Sequence, residues 1–211
     1  MENTQIYVLR LGMMPTNCYV LADTQNHTAL VVDPADGAQE IMSRLRSIGV
    51  DRVEAILITH GHFDHIGAAN ELRRLSGAKL YASRLEEEFL LDTDANLSAQ
   101  FGNPVSVKAD VLLDDGQELE LMGERVRMIS TPGHTAGGCC YYLPEKNVLF
   151  AGDTLFYESY GRTDFPTGSE SALIRSIREK LFCLPDETQV LPGHNMSTTI
   201  GWEKKENPIA M

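Results

Sequence analysis

Four times in this chain a short apolar run breaks into a turn and then into a residue able to hold a metal. Ile56-Leu57-Ile58 leads into Thr-His-Gly-His-Phe-Asp-His over residues 59 to 65, which sets His60, His62, Asp64 and His65 within six positions. Val126 to Ile129 leads to Pro132-Gly133-His134, Val148-Leu149-Phe150-Ala151 to Gly152-Asp153, and Val190-Leu191 to Pro192-Gly193-His194. Short apolar runs bounded by Gly and Pro read as buried strands. Strands of one sheet that all end in a ligand line those ligands along one of its edges, beyond the strand ends where α/β sheets collect ligands.

Crowding three imidazoles and a carboxylate at one point is unfavourable unless something positive sits among them. Neutral imidazole mixed with carboxylate suits borderline divalent metals such as zinc, iron or manganese. Taken singly, each signal has a plain reading. A Pro-Gly-His is more often a turn with a solvated imidazole, and an Asp after a strand more often caps a helix. The agreement of all four overrides those readings. His27, in the polar turn from Asp23 to His27, is the contrast and is assigned no role.

A chain of 211 residues, 43% hydrophobic and 23% charged, reads as one domain with a substantial core. The formal charge of −12 opposes nucleic acid, and the longest basic cluster, Lys204-Lys205, is flanked by Glu203 and Glu206. No run of eighteen apolar residues suggests a membrane span, and Met1 to Gln5 lacks the features of a secretory leader. Cys18, Cys139, Cys140 and Cys183 show no paired spacing, and adjacent Cys139 and Cys140 would face opposite sides of a strand. Reduced thiols and a cytoplasmic location follow as the simplest expectation. Oligomeric state leaves no mark on the sequence.

Strands are expected over Thr4 to Leu11, Thr16 to Ala22 and Thr28 to Val32. Helical spacing runs through Ala38, Ile41, Met42, Leu45 and Ile48 to a stop at Gly49, and again from Ala68 to Gly77. A short acidic helix is expected from Ser83 to Leu91, then a loop over 92 to 104 that borders the site or is a surface insertion. Strands dominate from Asp110 to Ala151. An amphipathic helix follows through Leu173, Ile174, Ile177, Leu181 and Phe182, then a last strand and a helix near Thr198 to Glu206.

In order, His60-x-His62-x-Asp64-His65, His134, Asp153 and His194 resemble the ligand set of the metallo-β-lactamase superfamily over almost the whole chain. The resemblance implies an α/β fold, an αββα sandwich of two mixed β-sheets flanked by helices, with the metal site at one edge. It implies that His60, His62 and His134 hold one metal, that Asp64, His65 and His194 hold a second, and that Asp153 bridges them. The cofactors implied are two divalent ions, zinc first, with iron or manganese as alternatives.

Within that superfamily the chain resembles the small, single-domain glyoxalase II-like hydrolases. The segments that carry this are Gly152-Asp153-Thr154-Leu155-Phe156, Gly161-Arg162-Thr163-Asp164-Phe165-Pro166 and the tail from Thr199 to Pro208. The full-length pattern adds a C-terminal helical domain with basic glutathione-binding residues, whereas this sequence stops at Met211. It also reads Gly-Arg-Thr-Asp where full-length members read Gly-Arg-Phe-Phe. Both departures bear on glutathione recognition and leave the metal site untouched.

The reaction expected is hydrolysis of a small-molecule thioester such as S-lactoylglutathione. A thiol, with a pKa around 8.5, leaves as thiolate without a strong proton donor. No residue outside the ligand set is an obvious general acid, and Asp64 is the candidate proton carrier. Arg162 is the candidate contact for an anionic substrate, with an ion pair to Asp164 as its rival reading. Asp33 is a candidate to orient ligand histidines from behind, or else a turn residue. Cys139 and Cys140 read as small core residues. Three other readings stand beside this one: a one-iron persulfide dioxygenase, whose family shares the Gly-Arg-Thr-Asp segment; a lactone hydrolase on the same fold; and a non-catalytic metal-binding scaffold.

Overall fold

The apolar runs read from the sequence become strands covered on both faces, and that double burial sets the layering. The computed structural model describes residues 4–210. Met1 to Asn3, the start of the segment expected to carry no leader, and Met211 lie outside the described residues.

In the first sheet, β1 (Thr4–Leu11), β2 (Thr16–Asp23) and β3 (Thr28–Val32) form an antiparallel meander. Beyond β3, the strands β4 (Arg52–Leu57), β5 (Lys79–Ser83) and β6 (Val111–Leu113) continue in parallel, so spatial order follows sequence order. In the second sheet, β7 (Glu118–Leu121), β8 (Glu124–Ser130), β9 (Cys139–Leu143) and β10 (Val148–Gly152) are antiparallel neighbours. A small hairpin of β11 (Leu155–Phe156) and β12 (Ser159–Tyr160) follows. Then β13 (Gln189–Pro192) pairs in parallel with β10, and β14 (Thr198–Thr199) closes that edge. Both sheets are mixed, as expected.

Side-chain alternation distributes the core into three layers. Leu21, Leu30, Val32 and Leu57 of the first sheet meet Met128, Cys139, Tyr141 and Phe150 of the second between the sheets. On the outer face of the first sheet, Val20, Val31 and Ile56 pack against α1 (Ala38–Ser47) and α3 (Ala69–Ser76) through Ile41, Leu45 and Leu72. On the outer face of the second, Cys140, Tyr142, Leu149 and Val190 meet Leu173, Ile177 and Leu181. The result is the αββα order. Cys139 and Cys140 do face opposite layers, and the four cysteines are free.

Several local expectations change. The helix expected from Ala68 to Gly77 is α3, which ends on the left-handed Gly77, while a single turn not anticipated, α2 (Phe63–Ile66), precedes it within the histidine-rich run. The β5 strand was not anticipated, because Leu80 and Tyr81 face different layers and leave no one-sided pattern in five residues. The acidic helix shrinks to α4 (Glu87–Leu91) behind a tight turn over Arg84–Glu86 that carries Glu86 inward. The amphipathic helix starts earlier, as α5 (Glu170–Ser176), and widens into a π-type turn over Ile177–Leu181. The last helix, α6 (Ile200–Glu206), is capped by the Thr199 hydroxyl. No helix among the described residues is long and apolar enough to cross a membrane.

Candidate metal centre

The four apolar runs end at one rim, but not in one sheet. β4 delivers His60 from the first sheet, whereas β8, β10 and β13 deliver His134, Asp153 and His194 from the second. The expectation of a single sheet edge is corrected on this point. Both sheets contribute because they pack with these ends side by side, so the donors meet across the seam.

The run from His60 to His65 uses a change of backbone to point four side chains at one place. His60 sits in a loop, His62 is extended and caps α2, and one helical turn then presents Asp64 and His65. In space His60, His62 and His134 form one group, His60, His65 and Asp153 another, and Asp64, His65 and His194 a third. Within each group the ligand atoms lie within 4.8 Å of one another. His62 Nδ1 is 2.9 Å from His134 Nε2. Asp153 lies 3.4 Å from His65 Nε2, 3.6 Å from His134 Nε2 and 3.5 Å from His194 Nε2. All seven donors named from the sequence therefore converge. Exposed His27 stays apart, bonded to the Gly49 carbonyl.

Tautomers can be assigned from the surrounding bonds. His134 Nδ1 donates to the Arg162 carbonyl at 2.7 Å, which leaves Nε2 with a lone pair toward the centre. Asp33 accepts from the Thr59 amide (2.8 Å), the Thr59 hydroxyl (2.6 Å) and His65 Nδ1 (3.0 Å). With its hydrogen given to Asp33, the Thr59 oxygen accepts from His60 Nδ1 at 3.2 Å, and His60 Nε2 is freed. One buried carboxylate thus orients two imidazoles, directly and through Thr59. Asp33 does so from a left-handed backbone position, φ 50°.

Buried polar atoms are normally satisfied. Here His60 Nε2, His62 Nε2, His65 Nε2 and Asp153 Oδ1 are buried without a hydrogen-bond partner. All four residues belong to the donor groups, and a cation among them would satisfy such atoms together. The donor chemistry fits divalent metal.

Electrostatics divide the cluster. Burial pushes His60, His62 and His134 down, His62 to about 3, and the neighbouring imidazoles add to this for His60 and His62. For His65 and His194 burial also opposes the charge, but the Asp153 and Asp64 carboxylates outweigh it and raise both. Asp64 and Asp153 are held below the usual carboxylate range, with burial opposing and His65 prevailing.

Close approach needs glycine at two points. A Cβ on Gly193 would collide with Asp153 Oδ1 and with His65. One on Gly152, at φ 49°, would meet the Thr59 hydroxyl.

A cavity of about 450 Å3 opens over the donors, walled by Met14, Phe63, Leu97, Phe101, Phe156 and Phe165. Phe63 and Phe101 stack at 4.1 Å, so the 92–104 loop borders the site. Arg162 also lines the cavity, but it is spent: both of its contacts to the Asp164 carboxylate are 2.7 Å, and its guanidinium lies 3.7 Å from the Phe165 ring centre.

Three supporting residues escaped the sequence reading. Glu86 is buried and accepts from the Gly61 amide (2.8 Å), the Thr135 hydroxyl (3.0 Å) and the Gly137 amide (2.9 Å). It ties the loop of His60 and His62 to the loop of His134. Burial outweighs these donors and pushes it up to about 7. Asn17 bonds to the carbonyls of Pro192 and Asn195, both at 3.0 Å, anchoring the His194 loop. The Thr16 hydroxyl donates to Asp64 at 3.1 Å.

Residues 11–194 match the family model described as the Metallo-beta-lactamase superfamily. The chain is 35% identical over 210 residues to the hydroxyacylglutathione hydrolase GloC of Haemophilus influenzae, covering 97% of each. It superposes on the solved BLEG-1 B3 metallo-beta-lactamase with a TM-score of 0.91 at 36% identity, covering 97% of this chain and 98% of that one. The di-iron-bound form of TTHA1623 matches with a TM-score of 0.83 at 33% identity, covering 96% and 98%.

Proposed function

The chain belongs to the metallo-beta-lactamase superfamily, and from that premise we propose that it is a two-metal hydrolase of thioesters such as S-lactoylglutathione. His60, His62 and His134 would hold one divalent ion and Asp64, His65 and His194 the other, with Asp153 shared between them. Zinc is the metal proposed, although the TTHA1623 relative carries two irons. When bound, such ions acidify water to near neutrality and polarise a carbonyl.

The chain's own residues supply the rest. Asp33 and Thr59 hold the ring orientations of His65 and His60 before any ligand arrives, so little reorganisation is left for the reaction. The aromatic wall of Phe63, Phe101 and Phe165 excludes bulk water from the cavity. Asp64, at the cavity side with its Oδ2 facing His194 Nε2 at 3.2 Å, is the proposed proton carrier.

One observation carries the choice of thioester. Among the described residues lining the cavity outside the donor set, the larger polar side chains, Tyr160 and Arg162, are already engaged. Tyr160 donates to Glu170 at 3.1 Å, and Arg162 is paired with Asp164. A poor leaving group such as an amine needs a proton at departure, whereas a thiolate does not. The GloC relative, described as a hydroxyacylglutathione hydrolase, supports the same direction.

Release of free thiol from S-lactoylglutathione by the metal-loaded protein tests this reading, with loss on chelation expected. No thiol release from a fully loaded sample, together with oxygen uptake on glutathione persulfide, would replace it with the dioxygenase.

A further inference from the structure

Two neighbouring cavities, neither lined by Arg162, lie beside the donor cluster, the first reaching it at His194. One, of about 700 Å3, is lined by Arg10, Met14, Tyr157, His194, Asn195 and Met196. The other, of about 380 Å3, shares Arg10, Asn195 and Met196 and extends along Val8 and Gln189. Met14 and His194 also line the cavity over the donors, so the larger space borders it, and the smaller borders the larger at Arg10, Asn195 and Met196.

Strand register fixes how Arg10 stands in these spaces. Arg10 is directly opposite Asn17 in the β1–β2 ladder, and opposed residues project from the same face about 5 Å apart. Asn17 reaches the Pro192 and Asn195 carbonyls, so Arg10 faces the loop that carries His194. The walls beside it are unusually apolar for a surface: Val8 is 51% exposed, Met14 48% and Met196 58%.

Arg10 and Arg162 are the two arginines in the three cavities, and their states differ. Arg162 is neutralised by Asp164 and laid on Phe165. Arg10 makes no ion pair among the described residues. In a chain of net charge −12, an anionic substrate is repelled almost everywhere. A free guanidinium among apolar walls offers a paired fork of donors that a carboxylate matches.

We propose that Arg10 binds a carboxylate at the far end of the substrate, whose thiol half runs past Met14 and Met196 to the donors at His194. Arg10 thus selects acidic thioesters over neutral ones, a role distinct from the one expected of Arg162. This deepens the thioesterase reading and rests on it.

The test compares kcat/KM for S-lactoylglutathione, whose thiol half carries carboxylates, with that for uncharged S-lactoyl-N-acetylcysteamine. The acidic-to-neutral ratio is expected to fall about tenfold or more in Arg10→Met, chiefly through KM, and to fall less in Arg10→Lys, which keeps the charge but loses the fork. In Arg162→Met the ratio should fall less than in Arg10→Met. An unchanged ratio in Arg10→Met, or no preference in the wild type, overturns the assignment while leaving thioester hydrolysis standing. If the wild type cleaves neither compound, the thioesterase reading fails. Calorimetry with glutathione on the metal-loaded protein then decides: binding that weakens in Arg10→Met upholds Arg10 as a carboxylate site. Equal binding by the two proteins, or no binding by the wild type, refutes it.

Discussion

The two halves of the donor cluster are built on opposite electrostatic plans. His60, His62 and His134 are buried imidazoles driven toward neutrality by burial. His65 and His194 face Asp64 and Asp153, and their preference for positive charge is raised. The first half is a set of buried imidazoles whose loops are held by backbone and by Glu86. The second balances its carboxylates with imidazoles and opens further toward the cavity, with the His194 side chain 22% and Asp64 13% exposed against 6% for His134 of the first half. A buried neutral trio suits permanent retention of an ion. A charged, more open trio suits contact with substrate.

Asp153 belongs to both halves, so its loss should cost most. Asp153→Ala is expected to lower thioester hydrolysis by about a thousandfold or more, the equivalent of several kcal/mol of charge stabilisation. Elemental analysis of the purified variant should show metal below the wild-type level. Full metal content at wild-type activity would remove the shared carboxylate from the scheme.

Asp33→Asn separates the halves. It touches His65 directly and His60 only through Thr59. Metal affinity should fall about ten- to a hundredfold, with the more weakly held ion affected first in a chelator competition. Equal weakening of both ions would break the asymmetry.

Glu86 tests the first half alone. In Glu86→Ala three donors lose their acceptor, and stability should drop by about 3 kcal/mol or more. Glu86→Gln should lose less, and its difference from wild type should depend on pH. The folded state keeps the Glu86 proton up to about 7, against an ordinary value of 4.5. Folded protein therefore binds more protons than unfolded protein in that window. Wild type should lose up to about 3 kcal/mol relative to the Gln variant as pH rises from about 4.5 through about 7. Denaturant melts across this range check the sign, and a parallel pair of curves would contradict it.

The smallest effect is expected at Arg162. It is exposed, so Arg162→Met should move the melting temperature by no more than about 3 °C. A larger drop would mean that the Asp164 pair braces the loop whose carbonyl holds His134.

Legibility in the sequence follows the range of the interaction. His60, His62, Asp64 and His65 stand together in one run, and His134, Asp153 and His194 each follow an apolar strand, so pattern alone finds them. The layered fold was likewise expected, from buried strands and the helical spacing of Ile41, Leu45 and Leu72. Glu86 left no such trace. Its partners Gly61 and Gly137 are 25 and 51 positions away and donate through backbone amides, which carry no side-chain signature in a sequence. Asn17 reaches a carbonyl 175 positions away. β5 was missed because its neighbours, and not its own pattern, make it a strand. Assigning the donor strands to one sheet failed for a related reason: strand ends are local, while the seam between sheets is not.

Stepwise metal addition to metal-depleted protein, followed by thiol release from S-lactoylglutathione, addresses the two-half design most directly. The expected result is binding of two equivalents per chain, with the first giving little turnover and the second restoring it. Full hydrolysis after one equivalent would contradict the design. So would a one-iron protein that consumes oxygen with glutathione persulfide and releases no thiol from the thioester.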